Sequence, residues 1–196
     1  MISGLTADSV VDPIGAVRSL EVRKAEMTDI APLLALINDY AAKGIMLPRT
    51  EFEISENIRD FSVIYAGQDL VASGALHFYT PIMGEVRSLA VDPKWKAHGV
   101  GRRMVEALLV EAREFSLDAV FAFTYVPDFF RKMGFEEVER GELPLKAWKD
   151  CLRCPKFQCC DEIAMVNLLR PEHWREHHDK MAVPTDEAFP LLPIVR

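Results

Sequence analysis

The segment that most constrains this chain is Leu89-Ala90-Val91-Asp92-Pro93 followed by Lys96-Ala97-His98-Gly99-Val100-Gly101-Arg102. A strand-forming run ends at a proline, two glycines follow, and a long amphipathic stretch begins. Val100, Met104, Val105, Leu108, Leu109, Ala112 and Phe115 recur at helical spacing, with Arg102, Arg103, Glu106 and Arg113 mostly off that face. The spacing predicts a helix over 99–115. A strand feeding a helix through glycines brings backbone N–H groups to the helix start with no Cβ in the way. Those donors, and the positive end of the helix dipole, suit an anion such as a pyrophosphate. Two glycines alone leave a plain structural turn equally open.

The flanking pattern alternates short strands with helices. Residues 20–25 read as a first strand. Thr28 or Asp29 can cap a helix with Pro32 in its first turn, a face of Ile30, Leu33, Leu34, Ile37 and Tyr40, and a stop at Gly44. Thr50 to Glu53 fits a capping box. Strands are expected over 61–66 and 70–80 around Gly67-Gln68-Asp69, then over 84–92, 118–126, 135–139 and 163–169, with a short helix over 128–133 closed by Gly134. This order predicts an α/β fold built on a mixed sheet. A single folded domain is expected over 20–170, preceded by an arm over 1–19 and followed by a Pro-rich polar tail over 171–196. With 196 residues and a net charge of −7, the chain lacks the basic footprint of a nucleic-acid binder. No apolar run reaches the roughly 18–20 residues of a membrane helix. The first residues carry Asp8 and Asp12 and no basic stretch, so no secretory signal is expected. A cytoplasmic location with reduced cysteines follows.

Two motifs together resemble one family. Lys96-x-x-Gly99-x-Gly101 resembles the Arg/Gln-x-x-Gly-x-Gly/Ala acetyl-CoA signature of the GNAT acetyltransferase superfamily, and it follows a Leu-Ala-Val-Asp-Pro strand end as it does there. Phe129-Phe130-Arg131-Lys132-Met133-Gly134-Phe135 resembles the family's helix ending in Gly-Phe. The resemblance covers roughly residues 20–170. It implies the GNAT fold, a mostly antiparallel twisted sheet flanked by helices. It also implies acetyl-CoA as co-substrate, held by Leu89, Ala90, Val91, Lys96, Ala97, His98, Gly99, Val100, Gly101 and Arg102. Lys96 departs from the usual Arg or Gln, and Ala97 from a frequent glycine. Phe130 stands where many members carry a tyrosine that acts as general acid, so that role falls to another group or to water.

Acetyl transfer to an amine needs a base for the ammonium, a polarised thioester carbonyl and a proton for the leaving thiolate. Glu85 is the candidate base, at the strand position where several GNAT enzymes place a glutamate. The resemblance implies that amides near Leu89 and Val91 polarise the carbonyl, a role for which measured donors contribute about 3–4 kcal/mol. Thr124 and Tyr125, at the end of the next strand, reach the sulfur if the two strands splay.

Met46-Leu47-Pro48-Arg49-Thr50 with Ile58-Arg59-Asp60-Phe61, and Leu143-Pro144-Leu145-Lys146 with Lys149-Asp150, resemble the acetyltransferase domain of N-acetylglutamate synthases. That resemblance implies transfer to the α-amino group of glutamate, the first step of arginine biosynthesis, with glutamine, another amino acid or a protein amine as alternatives. Arg49 is the candidate fork for a substrate carboxylate, and Arg153 or Lys156 for a second one. Larger synthases of this type carry an amino-acid-kinase domain ahead of the transferase, so a stand-alone form without that feedback control is expected. A homodimer is left open, as is a non-catalytic acyl-CoA sensor. Cys151-x-x-Cys154 and Cys159-Cys160, with His173, His177 and His178 downstream, offer a weak zinc alternative. No metal is expected, and the cysteines read first as reduced thiols in a substrate loop.

Overall fold

The computed structural model describes residues 20–143, Cys154, Lys156 and residues 159–181. The expected arm over 1–19, Cys151 and Arg153, the segment 144–150 and the end of the expected tail over 182–196 lie outside the described residues.

The strands are β1 (Val22–Lys24), β2 (Phe61–Ala66), β3 (Asp69–Thr80), β4 (Met83–Val91), β5 (Ala119–Thr124), β6 (Glu136–Glu137) and β7 (Ile163–Leu168). The helices are α1 (Ile30–Ala42), α2 (Glu51–Glu56), α3 (Val100–Glu114), α4 (Pro127–Arg131) and α5 (Pro171–Met181). The seven strands form one sheet in the order β1-β2-β3-β4-β5-β7-β6. Each neighbouring pair is antiparallel except β4 and β5, which are parallel. Thr50 caps α2 as its sequence predicts: its hydroxyl accepts from Glu53 N at 3.2 Å and its own N–H donates to Glu53 Oε2 at 2.8 Å.

The apolar stripe of α3, with Met104, Val105, Leu108 and Ala112 fully or nearly fully buried, packs on one face of the sheet. Its close approach depends on Gly74, where an added Cβ would lie 2.8 Å from Met104 Cγ. The other face is covered by Ile30, Leu33 and Ile37 of α1 and Ile54 of α2, over Phe61, Val63 and Ala75.

Asp29 ties β1 to the entry of α1. Its carboxylate accepts from Arg23 at 2.7 and 2.9 Å, from Glu26 N at 2.7 Å and from the Tyr65 hydroxyl at 2.8 Å. The Arg23 contact, aided by the Glu26 and Tyr65 donors and opposed by burial, holds the carboxyl at about 2 rather than 3.8. A depressed carboxylate stabilises the fold above its unfolded value and ceases to do so as pH falls through the folded one. Arg23 is 45% exposed, which discounts the ion pair. Asp29→Asn is therefore expected to lower the unfolding free energy by about 1–2 kcal/mol at neutral pH. The gap between variant and native chain should close between about pH 4 and pH 2, measured by urea denaturation across that range.

Two observations concern the end of the domain. Residues from 171 on are expected as a tail, yet Pro171 to Met181 form α5. A proline at the first helical position is compatible with a helix start. Trp174 packs against the cluster of Met83, Phe121, Leu143 and Val166. Arg170 pairs with the fully buried Asp118 at 2.7 Å, and the Leu169 and Arg170 amides donate to the Asp118 carbonyl. The folded body therefore continues past residue 170.

Candidate active site

The site begins with a failure of pairing. β4 and β5 are joined only at Met83–Ala119, Gly84–Val120 and Glu85–Phe121, after which β4 runs on to Val91 and β5 to Thr124 without a shared ladder. Parallel strands that part in this way leave backbone donors and acceptors facing a wedge. A cavity of about 830 Å³ fills it, bounded by β4 on one side, Phe123 to Val126 on the other, and the loop after α1 above.

β4 is kinked inside that cavity. Ser73 pairs with Ala90 and Ala75 with Arg87, so Ser88 and Leu89 oppose the single residue Gly74. Ser88 takes the strain with φ at +52°, and its carbonyl accepts from Ser73 Oγ at 3.2 Å. A bulge of this kind re-aims the groups on either side of it. The amides of Leu89 to Val91 sit at the cavity wall, where the resemblance places the carbonyl-polarising donors.

The glycine turn has the form its sequence predicts. Asp92 Oδ1 accepts from Lys94 N at 2.8 Å, a short 3₁₀ turn spans Pro93–Trp95, and Gly99 enters α3 with φ at +83°. Gly99 offers no side-chain cap, so the first-turn amides of a 15-residue helix face outward. Lys96, Ala97, Gly99, Val100, Gly101 and Arg102 line the cavity. His98 does not line the cavity; its Nδ1 is buried beside the turn rather than presented to the wedge. Ala97 adopts φ +63°, a left-handed conformation that explains the family's frequent glycine there. Lys96 is steered by Tyr40: its Nζ stands 4.9 Å from the ring centroid, while the Tyr40 hydroxyl donates to the Val91 carbonyl at 2.6 Å.

Glu85 lies at the apex of the wedge, 8% exposed and lining the cavity. Thr124 is 5% exposed and lines the cavity; its hydroxyl oxygen accepts from Val126 N at 3.0 Å, which leaves its own O–H free to donate. Tyr125, the other candidate, also lines the cavity. Its hydroxyl accepts from Lys156 Nζ at 3.2 Å, and burial is the largest of the influences that push its phenol up, so the proton is retained. Lys156, expected at a substrate carboxylate, lines the cavity and also spans Tyr125 and Asp161, the latter at 3.5 Å. Phe130 is 3% exposed and stacks edge-on with Phe129 and Phe135, which makes it core.

Arg49 is half-buried and reaches the cavity from the loop after α1. The Asn38 side chain clamps its main chain, donating to Arg49 O and accepting from Arg49 N, both at 2.9 Å. Sequence reasoning missed Arg140 and Glu162. Arg140 donates to the Glu162 carbonyl and to Cys160, and lies over the Phe123 ring. Burial pushes the Glu162 carboxyl up, against the pull of the Cys160 thiol and Arg140. Nothing local in the sequence marks either residue; β7 pairing with both β5 and β6 brings them to the wedge. Cys154 and Cys160 line the same cavity as free thiols, and Cys159 is exposed. Among the described residues no group of three His, Cys, Asp or Glu side chains is arranged for a metal, and no helix is long and apolar enough to cross a membrane.

Comparison with known proteins agrees with this geometry. A sequence model of the Acetyltransferase (GNAT) family matches residues 33–135, more than half of the chain. The chain belongs to that family and is an acetyl-CoA-dependent acetyltransferase. It is 42% identical over 149 residues to an uncharacterized N-acetyltransferase of Chlorobaculum tepidum, covering 76% of this chain and 96% of the relative. It is 36% identical over 137 residues to an amino-acid acetyltransferase of Mycobacterium tuberculosis, covering 67% and 77%. Among solved structures it resembles N-acetylglutamate synthase from Neisseria gonorrhoeae, complexed with coenzyme A and N-acetyl-glutamate. That match has a TM-score of 0.70 at 26% identity and covers 76% of this chain and 35% of that one.

The wedge fits acetyl-CoA. The outward amides at Gly99 to Arg102 would hold its phosphates, and the open edge of β4 would take the amide-bearing arm that ends in the thioester. When bound, the co-substrate supplies an activated acetyl group at the apex.

Proposed function

We propose that this enzyme transfers the acetyl group of acetyl-CoA to the α-amino group of glutamate in the cytoplasm, the first step of arginine biosynthesis. The observation that carries the proposal is the placement of a buried carboxylate, Glu85 on β4, and a proton-bearing phenol, Tyr125 just past the end of β5, around one cavity. Glu85 takes a proton from the substrate ammonium. The amine attacks the thioester carbonyl, whose oxygen turns to the amides near Leu89 and Val91. The C–S bond then breaks and the departing thiolate takes the Tyr125 proton, with Lys156 holding the phenol oxygen, and the second proton that the nitrogen sheds as the amide forms returns to that oxygen. Arg49 binds a substrate carboxylate as a fork. The relatives named amino-acid acetyltransferase support the acceptor class.

One observation favours a second acceptor. Arg140 and Glu162 both line the cavity, a guanidinium donor and a carboxyl acceptor, the pair of groups that the carboxamide of glutamine calls for. A CoA-release assay across the free amino acids tests both. Turnover confined to glutamate, glutamine or both is expected, and acetylation of peptide amines with no free amino acid accepted would refute the proposal.

A further inference from the structure

Glu85 is 8% exposed, in a cavity that both substrates fill, yet it must release one proton in every cycle. On the assignment of Glu85 as base, the residues behind it form an exit. His77 on β3 is the direct cross-strand partner of Glu85 on β4. Directly opposed side chains share a face, with Cβ atoms about 4.5–5.5 Å apart. His77 Nδ1 lies 2.5 Å from Asp60 Oδ2, in the 3₁₀ turn that precedes β2. A carboxylate accepts only, so Nδ1 carries a proton in this contact, and whenever the ring is neutral its lone pair stands on Nε2. The same Asp60 oxygen lies 3.8 Å from Arg87 Nη2. Ala75 pairs with Arg87 and is fully buried, and its small side chain leaves room for that approach. The His77 side chain is 23% exposed, which connects a buried acid to solvent.

We infer that His77, oriented by Asp60, is the relay through which Glu85 returns its proton to water. The proton leaves the ammonium N–H for Glu85, passes to His77 Nε2, and the imidazolium, stabilised by the Asp60 carboxylate, gives one proton to solvent. The charged and titratable groups facing Glu85 are Arg87 on its own strand, His77 on β3, Asp60 before β2 and Arg49 from the loop after α1. Tyr125, Arg140, Cys154, Lys156, Cys160 and Glu162 line the far side of the same cavity. His77 and Asp60 touch no substrate and are positioning residues.

His77→Gln tests the relay. Turnover is expected to fall about tenfold or more with acetyl-CoA affinity unchanged. Added imidazole should restore much of it, a response that loss of packing would not give. Turnover within twofold of the native enzyme, or a loss that imidazole leaves untouched, would overturn the inference. Glu85→Gln run alongside separates the two assignments: if that variant is as active as the native chain, the base itself is wrong, whereas an inactive Glu85→Gln with an indifferent His77→Gln removes only the relay.

Discussion

Glu85→Gln is expected to lower turnover about 10²-fold or more while leaving acetyl-CoA binding in place, in line with the loss of a general base. Glutamine matches the shape of glutamate and keeps its hydrogen-bonding reach, so the apex of the wedge stays packed. It cannot accept a proton from an ammonium, and at neutral pH almost every amino-acid α-amine arrives protonated. The check is CoA release at saturating concentrations of both substrates, repeated across pH. The variant should regain rate as rising pH supplies more free amine, because the external medium then does the work of the missing carboxylate. A rate near that of the native enzyme at neutral pH would show that the amine loses its proton elsewhere.

Arg49→Ala is the second large effect. A charged hydrogen bond to a carboxylate contributes about 1.5–3 kcal/mol, equivalent to roughly 10–100-fold in the acceptor KM. Asn38 grips the main chain of residue 49 rather than its side chain, so the loop should hold its course when the guanidinium is removed. The acetyl-CoA KM should stay within about twofold, because the outward amides at the start of α3 belong to a different wall of the cavity. Equal losses for both substrates would mean that the loop had collapsed. An unchanged acceptor KM would take Arg49 out of recognition.

The parts of this molecule that were legible in sequence are those fixed by local periodicity and turn chemistry. The stripe from Val100 to Ala112 announces α3, Thr50 and Glu53 announce the start of α2, and Gly99 announces the left-handed entry to the glycine turn. Glu85 is a candidate because its strand position resembles that of other acetyltransferases, and it lines the cavity. What stayed hidden depends on distant pairing. The strands diverge beyond Glu85 and Phe121, which no stretch of residues encodes by itself. Arg140 and Glu162 meet only because β6 and β7 are neighbours. Tyr40 reads as one more apolar position on α1, whereas its hydroxyl seals the last β4 carbonyl. Thr124 accepts from a turn amide, a contact that the sequence does not announce. The contact of Lys156 with the Tyr125 hydroxyl likewise depends on residues 31 positions apart. The polar composition after residue 170 concealed a helix that Trp174 anchors.

The short seam between β4 and β5 has a mechanical meaning. Three paired positions are the hinge of two half-sheets, one built from β1 to β4 and the other from β5, β7 and β6. A thioester carrier lying in the gap would touch both halves along its length and act as the missing rung between them. Loading the co-substrate would then join the two half-sheets across the gap that the three paired positions leave open.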